Sequence, residues 1–369
     1  MLSTFKAMKV GTLKYKFFTV KKYELEVDNM KKIPVSEAVG SVLCHDITQI
    51  VPGLIKDRAF KKGHIIKEED IPLLLSLGKE NIYVWEKKEG YVHENDAAQR
   101  LTELTAGKGL TFSEVREGKI NFIAALDGLL VINTKLLYEI NSLGEIILVT
   151  LHNNYPVKKG LKVAGTRVIP LLIEEDKIKK AETLIGDEKI VSVLPYTPMK
   201  IAIVTTGSEV YHGRIKDAFG PVIKSKVEEY GCEVIGQSIL PDDENQITEA
   251  IVQWIEKGAE MVICTGGMSV DPDDVTPTAI QKTGAEIITY GAPVLPGAMM
   301  LVAYKGDIPI LGLPGCVMYS KRTVFDLVLP RILAKQRLSF ADIVAYGHGG
   351  LCMECEVCTY PSCSFGKGF

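Results

Sequence analysis

An α/β fold is expected for most of this chain. It comprises a three-layer domain with a mostly parallel sheet over residues 199–337, preceded by small β-rich and α+β units and followed by a short cysteine-rich tail. Three observations predict it. From Lys200 onward, short apolar runs alternate with helical patterns of ten or more residues, the signature of buried parallel strands covered on both faces. Before Lys200 the runs are shorter and turns more frequent, and Pro195 and Pro198 stiffen a linker. After Tyr346 the alternation stops, and four cysteines fall within eighteen residues.

The elements follow in order. Residues 30–90 read as a β-rich accessory region. Strands are expected at 42–43, 47–50 and 81–85, a turn at 60–64, and a helix over 69–77 that ends at Gly78. Residues 91–198 read as an α+β region. It has helices at 94–104, 134–141 and 174–185, and strands at 121–126, 129–133, 145–151, 166–173 and 190–193. In the third region, strands are expected at 201–205, 233–240, 261–264 and 308–311. Helices are expected at 215–230, 244–256, 274–282 and 318–333. The natural opening of the folded part is Met30-Lys31-Lys32-Ile33-Pro34, so residues 1–29 read as an extension or as lying before the true start.

Composition narrows the function class. The chain is 46% hydrophobic and 24% charged, with a net charge of -3. That balance fits a globular protein and argues against broad binding to nucleic acid or to anionic membranes. No uncharged apolar window approaches the roughly 18 residues a spanning helix needs, and no secretory leader is apparent. Cys44, Cys232, Cys264 and Cys316 sit singly among apolar or glycine neighbours and read as small hydrophobes. A reducing cytoplasm fits this usage. The six histidines share no metal-site spacing.

In a parallel sheet, ligands bind outside the carboxyl ends of the strands. Four loops fall there: Thr206-Gly207-Ser208-Glu209, Pro241-Asp242-Asp243, Thr265-Gly266-Gly267-Met268-Ser269 and Leu313-Pro314-Gly315-Cys316. Paired glycines admit close backbone approach, and Thr265 and Ser269 add hydroxyls. With a helix start nearby, the third loop suits a phosphate, or it merely turns the chain. Asp242, Asp243 and Asp274 are candidate catalytic carboxylates that would hold Mg²⁺ or steer an oxyanion. Asp243 and Asp274 equally suit helix caps.

Residues 200–335 resemble the molybdopterin-binding domain of the molybdopterin adenylyltransferase and molybdopterin molybdenumtransferase families. The resemblance is carried by Ile203-Val204-Thr205-Thr206-Gly207-Ser208-Glu209, Gly231-Cys232-Glu233-Val234, Asp242-Asp243, Thr265-Gly266-Gly267-Met268-Ser269-Val270 with Asp274, Pro296-Gly297, and Leu313-Pro314-Gly315. Residues 61–84 look like a short stretch of the molybdenumtransferase accessory region. The resemblance implies a molybdopterin ligand, or its nucleotide, at Thr206, Gly207, Ser208, Glu209, Thr265, Gly266, Gly267, Ser269, Pro296, Gly297, Pro314 and Gly315. It also implies a homo-oligomer and a partner in cofactor biosynthesis or a molybdoenzyme. The chain departs from the insertase pattern. Ser208 stands where an acid is usual, Asp271-Pro272 replaces Gly-Glu, Ala298-Met299 follows where a lysine is usual, and Cys316-Val317 replaces Asn-Pro. Two readings follow. One is a transferase-like enzyme of molybdenum cofactor biosynthesis, doing phosphoanhydride chemistry or assisting molybdate insertion. The other is a non-catalytic carrier or sensor.

The tail carries its own signal. Cys352, Cys355, Cys358 and Cys363 lie within twelve residues, dense enough to wrap one zinc ion or an iron–sulfur cluster. Such a metal-binding tail, residues 338–369, is expected to fold as a separate small unit, dispensable for residues 200–335.

Overall fold

The computed structural model describes residues 31–51, 55–84, 89–269 and 271–368. The expectations for residues 1–29, and the placement of Trp85 and Val270, lie outside them. The chain divides into two compact units, the second running from Gly90 to Phe369.

The first unit matches its expected character. Lys31–Pro34 pairs antiparallel with Asn81–Val84, and Ile47–Val51 with Ile55–Phe60. A short helix, Ile71–Ser76, packs Leu74 into a core that includes Ile33, Leu43, Ile47 and Phe60.

The second unit begins with an all-antiparallel part. Helices Glu94–Thr105, Thr134–Asn141 and Glu175–Ile185 cover short sheets around Phe122, Leu130, Ile140 and Val191. Arg100 ties the first helix to the third through Glu175 (2.9 Å) and Glu182 (2.7 Å). The expected strand over 166–173 is two strands, Lys162–Val168 and Leu172–Glu174. Strands Leu110–Phe112 and Tyr155–Val157 were not foreseen, because three residues are too few to show a period. The linker is packed rather than free: Tyr196 Oη donates to the Gly128 carbonyl (2.9 Å) and Thr197 N to that of Leu333 (2.8 Å).

The remainder is the expected α/β domain. Its elements are β1 (Lys200–Thr206), α1 (Phe219–Glu228), β2 (Glu233–Leu240), α2 (Glu244–Glu256), β3 (Met261–Thr265), α3 (Thr276–Lys282), β4 (Glu286–Tyr290), β5 (Leu301–Lys305), β6 (Ile308–Leu313), α4 (Val324–Leu333) and α5 (Phe340–Ala345). The sheet order is β2-β1-β3-β6-β5-β4. The first four strands are parallel, and β5 pairs antiparallel with both β6 and β4. Alternation explains the three layers. Ile201, Ile203, Met261, Ile263, Leu311 and Leu313 point into one core with α1 and α4. Ala202, Val204, Val262, Cys264 and Ile310 point into the other with α2 and α3.

Two helix starts and two strands differ from expectation. The helix expected over 215–230 starts at Phe219, where the Asp217 carboxylate accepts from the Phe219 and Gly220 N–H groups (2.9 and 3.1 Å). The helix expected over 318–333 starts at Val324, fixed by a capping box between Thr323 and Asp326. Strands β4, only partly buried, and β5, apolar and buried over Leu301–Tyr304, were also not foreseen.

The tail is not a separate unit. Phe365 is 2% exposed in the same core as α4, with Tyr360, Cys352 and Cys363 packed against it. Leu351 bridges to Leu295, and Cys352 N donates to the Leu295 carbonyl (2.8 Å). Phe365, with the partly buried Tyr360, Cys352 and Cys363, finds the α/β core, although Leu351, Met353 and Val357 stay exposed; that burial outweighs any independence conferred by the cysteine pattern.

Candidate functional site

A cavity of about 220 Å³ opens where β1, β2 and β3 end. Each strand delivers its following loop to this edge, so three sequence-distant segments meet. From the first come Thr206, Gly207 and Glu209; from the second, Asp242; from the third, Gly266, Gly267, Asp273 and Asp274.

The third loop is held tightly. A Cβ on Gly266 (φ +82°) would lie 2.0 Å from the Thr206 carbonyl oxygen, so this loop rests directly on the end of β1. Thr276 Oγ1 donates to the Gly266 carbonyl (2.8 Å) and lies 3.2 Å from Thr206 Oγ1, joining α3 to both loops. From the other side, Tyr290 Oη donates to the Met268 and Ser269 carbonyls (2.9 and 3.0 Å). Burial raises the Tyr290 pKa, with Asp274 adding to the effect, so the phenol stays a donor.

The three carboxylates divide. Asp242 Oδ2 accepts from both the backbone N–H and the hydroxyl of Ser208 (2.9 and 3.0 Å), so it braces the first loop as well as lining the cavity. Asp243 caps α2 by accepting from Gln246 N (2.9 Å) and lies outside the cavity lining. Asp274 lines the cavity. It does not cap α3, whose N-cap is Val275; its Oδ2 accepts from Asp271 N (3.1 Å).

Other expected site residues lie elsewhere. Thr265 is buried within β3 and donates to Thr205 Oγ1 (3.2 Å). Ser269 is exposed beyond the cavity. Pro296 and Gly297 support α4: the Pro296 carbonyl accepts from Val324 N (3.2 Å), and a Cβ on Gly297 would meet Val324 Cγ1 at 2.5 Å. Pro314 and Gly315 start a 3₁₀ turn, Gly315–Met318, which reaches the cavity only through Met318. Sequence reasoning missed Lys216, Asp273 and Met318, which line the cavity, and Thr276, which braces its loops. Asp273 adjoins the named Asp274, whereas Lys216, Met318 and Thr276 carry no local signal.

Residues 202–334 match the family described as a probable molybdopterin binding domain. That is about a third of the chain. Residues 32–86 match a domain of unknown function (DUF8806). Among curated proteins, a molybdopterin molybdenumtransferase of Haemophilus influenzae is 28% identical over 160 residues, 42% of this chain and 39% of that one. That of Synechococcus elongatus is 23% identical over 176 residues, 45% of this chain and 44% of that one. The chain thus matches less than half the length of these two relatives. Among solved structures, the molybdopterin biosynthesis enzyme MoaB of Thermus thermophilus is similar, with a TM-score of 0.31 and 18% identity. It covers 37% of this chain and 98% of that one.

Four acids (Glu209, Asp242, Asp273 and Asp274) face this cavity against one base, Lys216. At the tail, Cys355 and Cys358 are exposed and Cys352 and Cys363 half-buried, all as free thiols. Among the described residues no three His, Cys, Asp or Glu side chains are already arranged to hold a metal ion. No helix among them is long and apolar enough to cross a membrane.

Proposed function

We propose that this chain binds molybdopterin or its nucleotide at the β1–β3 loop edge and serves molybdenum cofactor biosynthesis. The observation that carries the reading is the convergence of Gly207, Gly266 and Gly267 with Asp242, Asp273 and Asp274 around one cavity, within the segment that matches the pterin-binding family. The glycine backbones offer close approach to a phosphate. The acid excess would repel that phosphate unless a hard cation intervened. Mg²⁺ suits an all-oxygen donor set of this kind. Asp242, Asp273 and Asp274 would hold it, and it would neutralise phosphate charge. Lys216 adds the one positive side chain at the rim. Tyr290 and Thr276 keep the third loop in place for the ligand. Free thiols throughout suit a reducing cytoplasm.

A specific observation favours binding without turnover as the second reading. Asp242 is committed to Ser208, and Asp243 to capping α2, so two of the three candidate catalytic carboxylates have structural work.

Calorimetry with molybdopterin, with and without Mg²⁺, tests the site. Asp274→Asn should weaken Mg²⁺-dependent binding by about 10–100-fold, the scale of a lost charged contact. The control Asp307→Asn, an exposed turn residue, should have little effect. Equal responses would remove Asp274 from the site. An assay of adenylylated molybdopterin with molybdate separates the two readings: cleavage selects the enzyme, and tight binding without cleavage the carrier.

A further inference from the structure

Although the cysteine segment has no regular secondary structure, its four cysteines, Cys352, Cys355, Cys358 and Cys363, all line one cavity of about 180 Å³, separate from the pterin cavity. None of the four scattered cysteines lines it. Long-range contacts hold the wall in place. Tyr360 Oη donates to the Asp326 carbonyl (3.1 Å), and Lys321 Nζ to that of Glu356 (2.6 Å). Lys367 Nζ donates to the carbonyls of Pro361 and Cys363. Arg322, paired with Asp326 (2.8 Å), lines the same cavity as Cys358. Ser320 lines the same cavity, and its Oγ is buried without a hydrogen-bond partner.

The geometry points to a thiolate metal centre at this cavity, held by Cys352, Cys355, Cys358 and Cys363. The half-buried pair, Cys352 and Cys363, is anchored on the α/β core. Cys355 and Cys358 lie on the exposed stretch between them and supply the closing movement. Such sites are usually completed by the metal rather than built before it. On binding, each thiol gives its proton to solvent as its sulfur bonds the metal. Neighbouring Arg322 and Lys321 offset the net negative charge of four thiolates around a divalent ion. Zinc and an iron–sulfur cluster share this ligand chemistry. The inference does not rest on pterin binding.

The test uses the full chain purified without oxygen. Metal and sulfide analysis is expected to return about one zinc, or iron with sulfide, per chain. The stoichiometry distinguishes the two sources. Cys355→Ser and Cys358→Ser change exposed positions and should leave the fold intact. Each should lower metal affinity by more than the ~10–100-fold that outer-sphere changes cost. Cys316→Ser, outside the cavity, should retain the metal. Metal should also slow amide exchange across residues 319–322 and 352–363 together. Protein that takes up neither zinc nor iron with sulfide, its tail thiols all freely alkylated, overturns the proposal. So does metal retained undiminished in both the Cys355→Ser and Cys358→Ser variants, which would place it elsewhere.

Discussion

The loop edge of the sheet and the cysteine segment reach their shapes by different routes. At the sheet, each loop is delivered by a strand whose direction and register are set by its neighbours; Thr205 pairs with Thr265, and Thr265 with Leu313. The position of Gly266 is thereby inherited from a backbone ladder. The cysteine segment has only a short backbone tie, Leu351 to Leu295, at its start. Beyond it, its position comes from side chains, Phe365 and Tyr360 into the core and Lys367 back onto its own carbonyls. The backbone of a site built on strands keeps its place when one side chain changes, whereas a segment held by anchors is displaced when an anchor is removed.

The largest effect should come from removing the anchors altogether. Truncation after Ala345 deletes Tyr346 and Phe365, which are buried in the core of the α/β domain, and Tyr360, which packs against it. Loss of a single buried aromatic side chain typically costs about 3–5 kcal/mol. A truncated protein should therefore lose most of its stability, of order 5–15 kcal/mol for a typical domain, and urea melts should show it. A truncated chain as stable as the parent would mean that the segment merely lies on the surface, and the comparison would break.

A smaller effect is expected at the sheet edge. Gly267 has φ +54°, and a Cβ there would stand 2.9 Å from Thr276 Oγ1. Gly267→Val forces a β-branched residue into that conformation, a cost of about 1–3 kcal/mol. The strands around it are unchanged, so the domain should remain folded while calorimetry shows loss of pterin binding. Unchanged affinity would remove this loop from the site.

The same contrast explains what could be read from the sequence. Strands β1, β3 and β6 were legible because a buried parallel strand is continuously apolar, the half-exposed edge strand β2 because it falls between two helical patterns, and the helix α2 because a helix has a period. Their order placed the loops of Gly207, Asp242 and Gly267 at one edge before any coordinates. Motif order could not tell which loop residues face the cavity. Pro296 and Gly297 proved to support α4, and Thr265 to be buried in the sheet, because facing depends on the partner that each residue packs against. Met318 reaches the cavity, and Thr276 braces the loops behind it, through tertiary contacts without a local pattern. The tail was misread for the same reason. Cysteine density is visible in sequence, but the burial of Phe365 beside α4 is a long-range fact.

The smallest effect concerns pH and sharpens the comparison at the junction of the two regions. Asp342, in α5, pairs with Arg331 of α4 at 2.6 Å and accepts from Ser339. Burial alone would raise its pKa, but the hydrogen bonds from Arg331 and Ser339 outweigh it and hold the carboxyl below its usual value. A depressed native pKa means that the ionised form is favoured by folding. The contribution is fully present above the ordinary aspartate value of about 3.9 and is lost as pH falls through the lower native value. Arg331 also donates to Gln336 (2.9 Å), so protonation loosens α5 without freeing the guanidinium entirely. Acidification below about pH 4 should therefore raise amide exchange in α5 and the following cysteine segment before it reaches β1 or β3. Asp342→Asn should bring that looseness to neutral pH and flatten the acid dependence. If exchange in α5 and the sheet rises together in the parent protein, the pair does not hold this junction, and the cysteine segment is as firmly fixed as the strands.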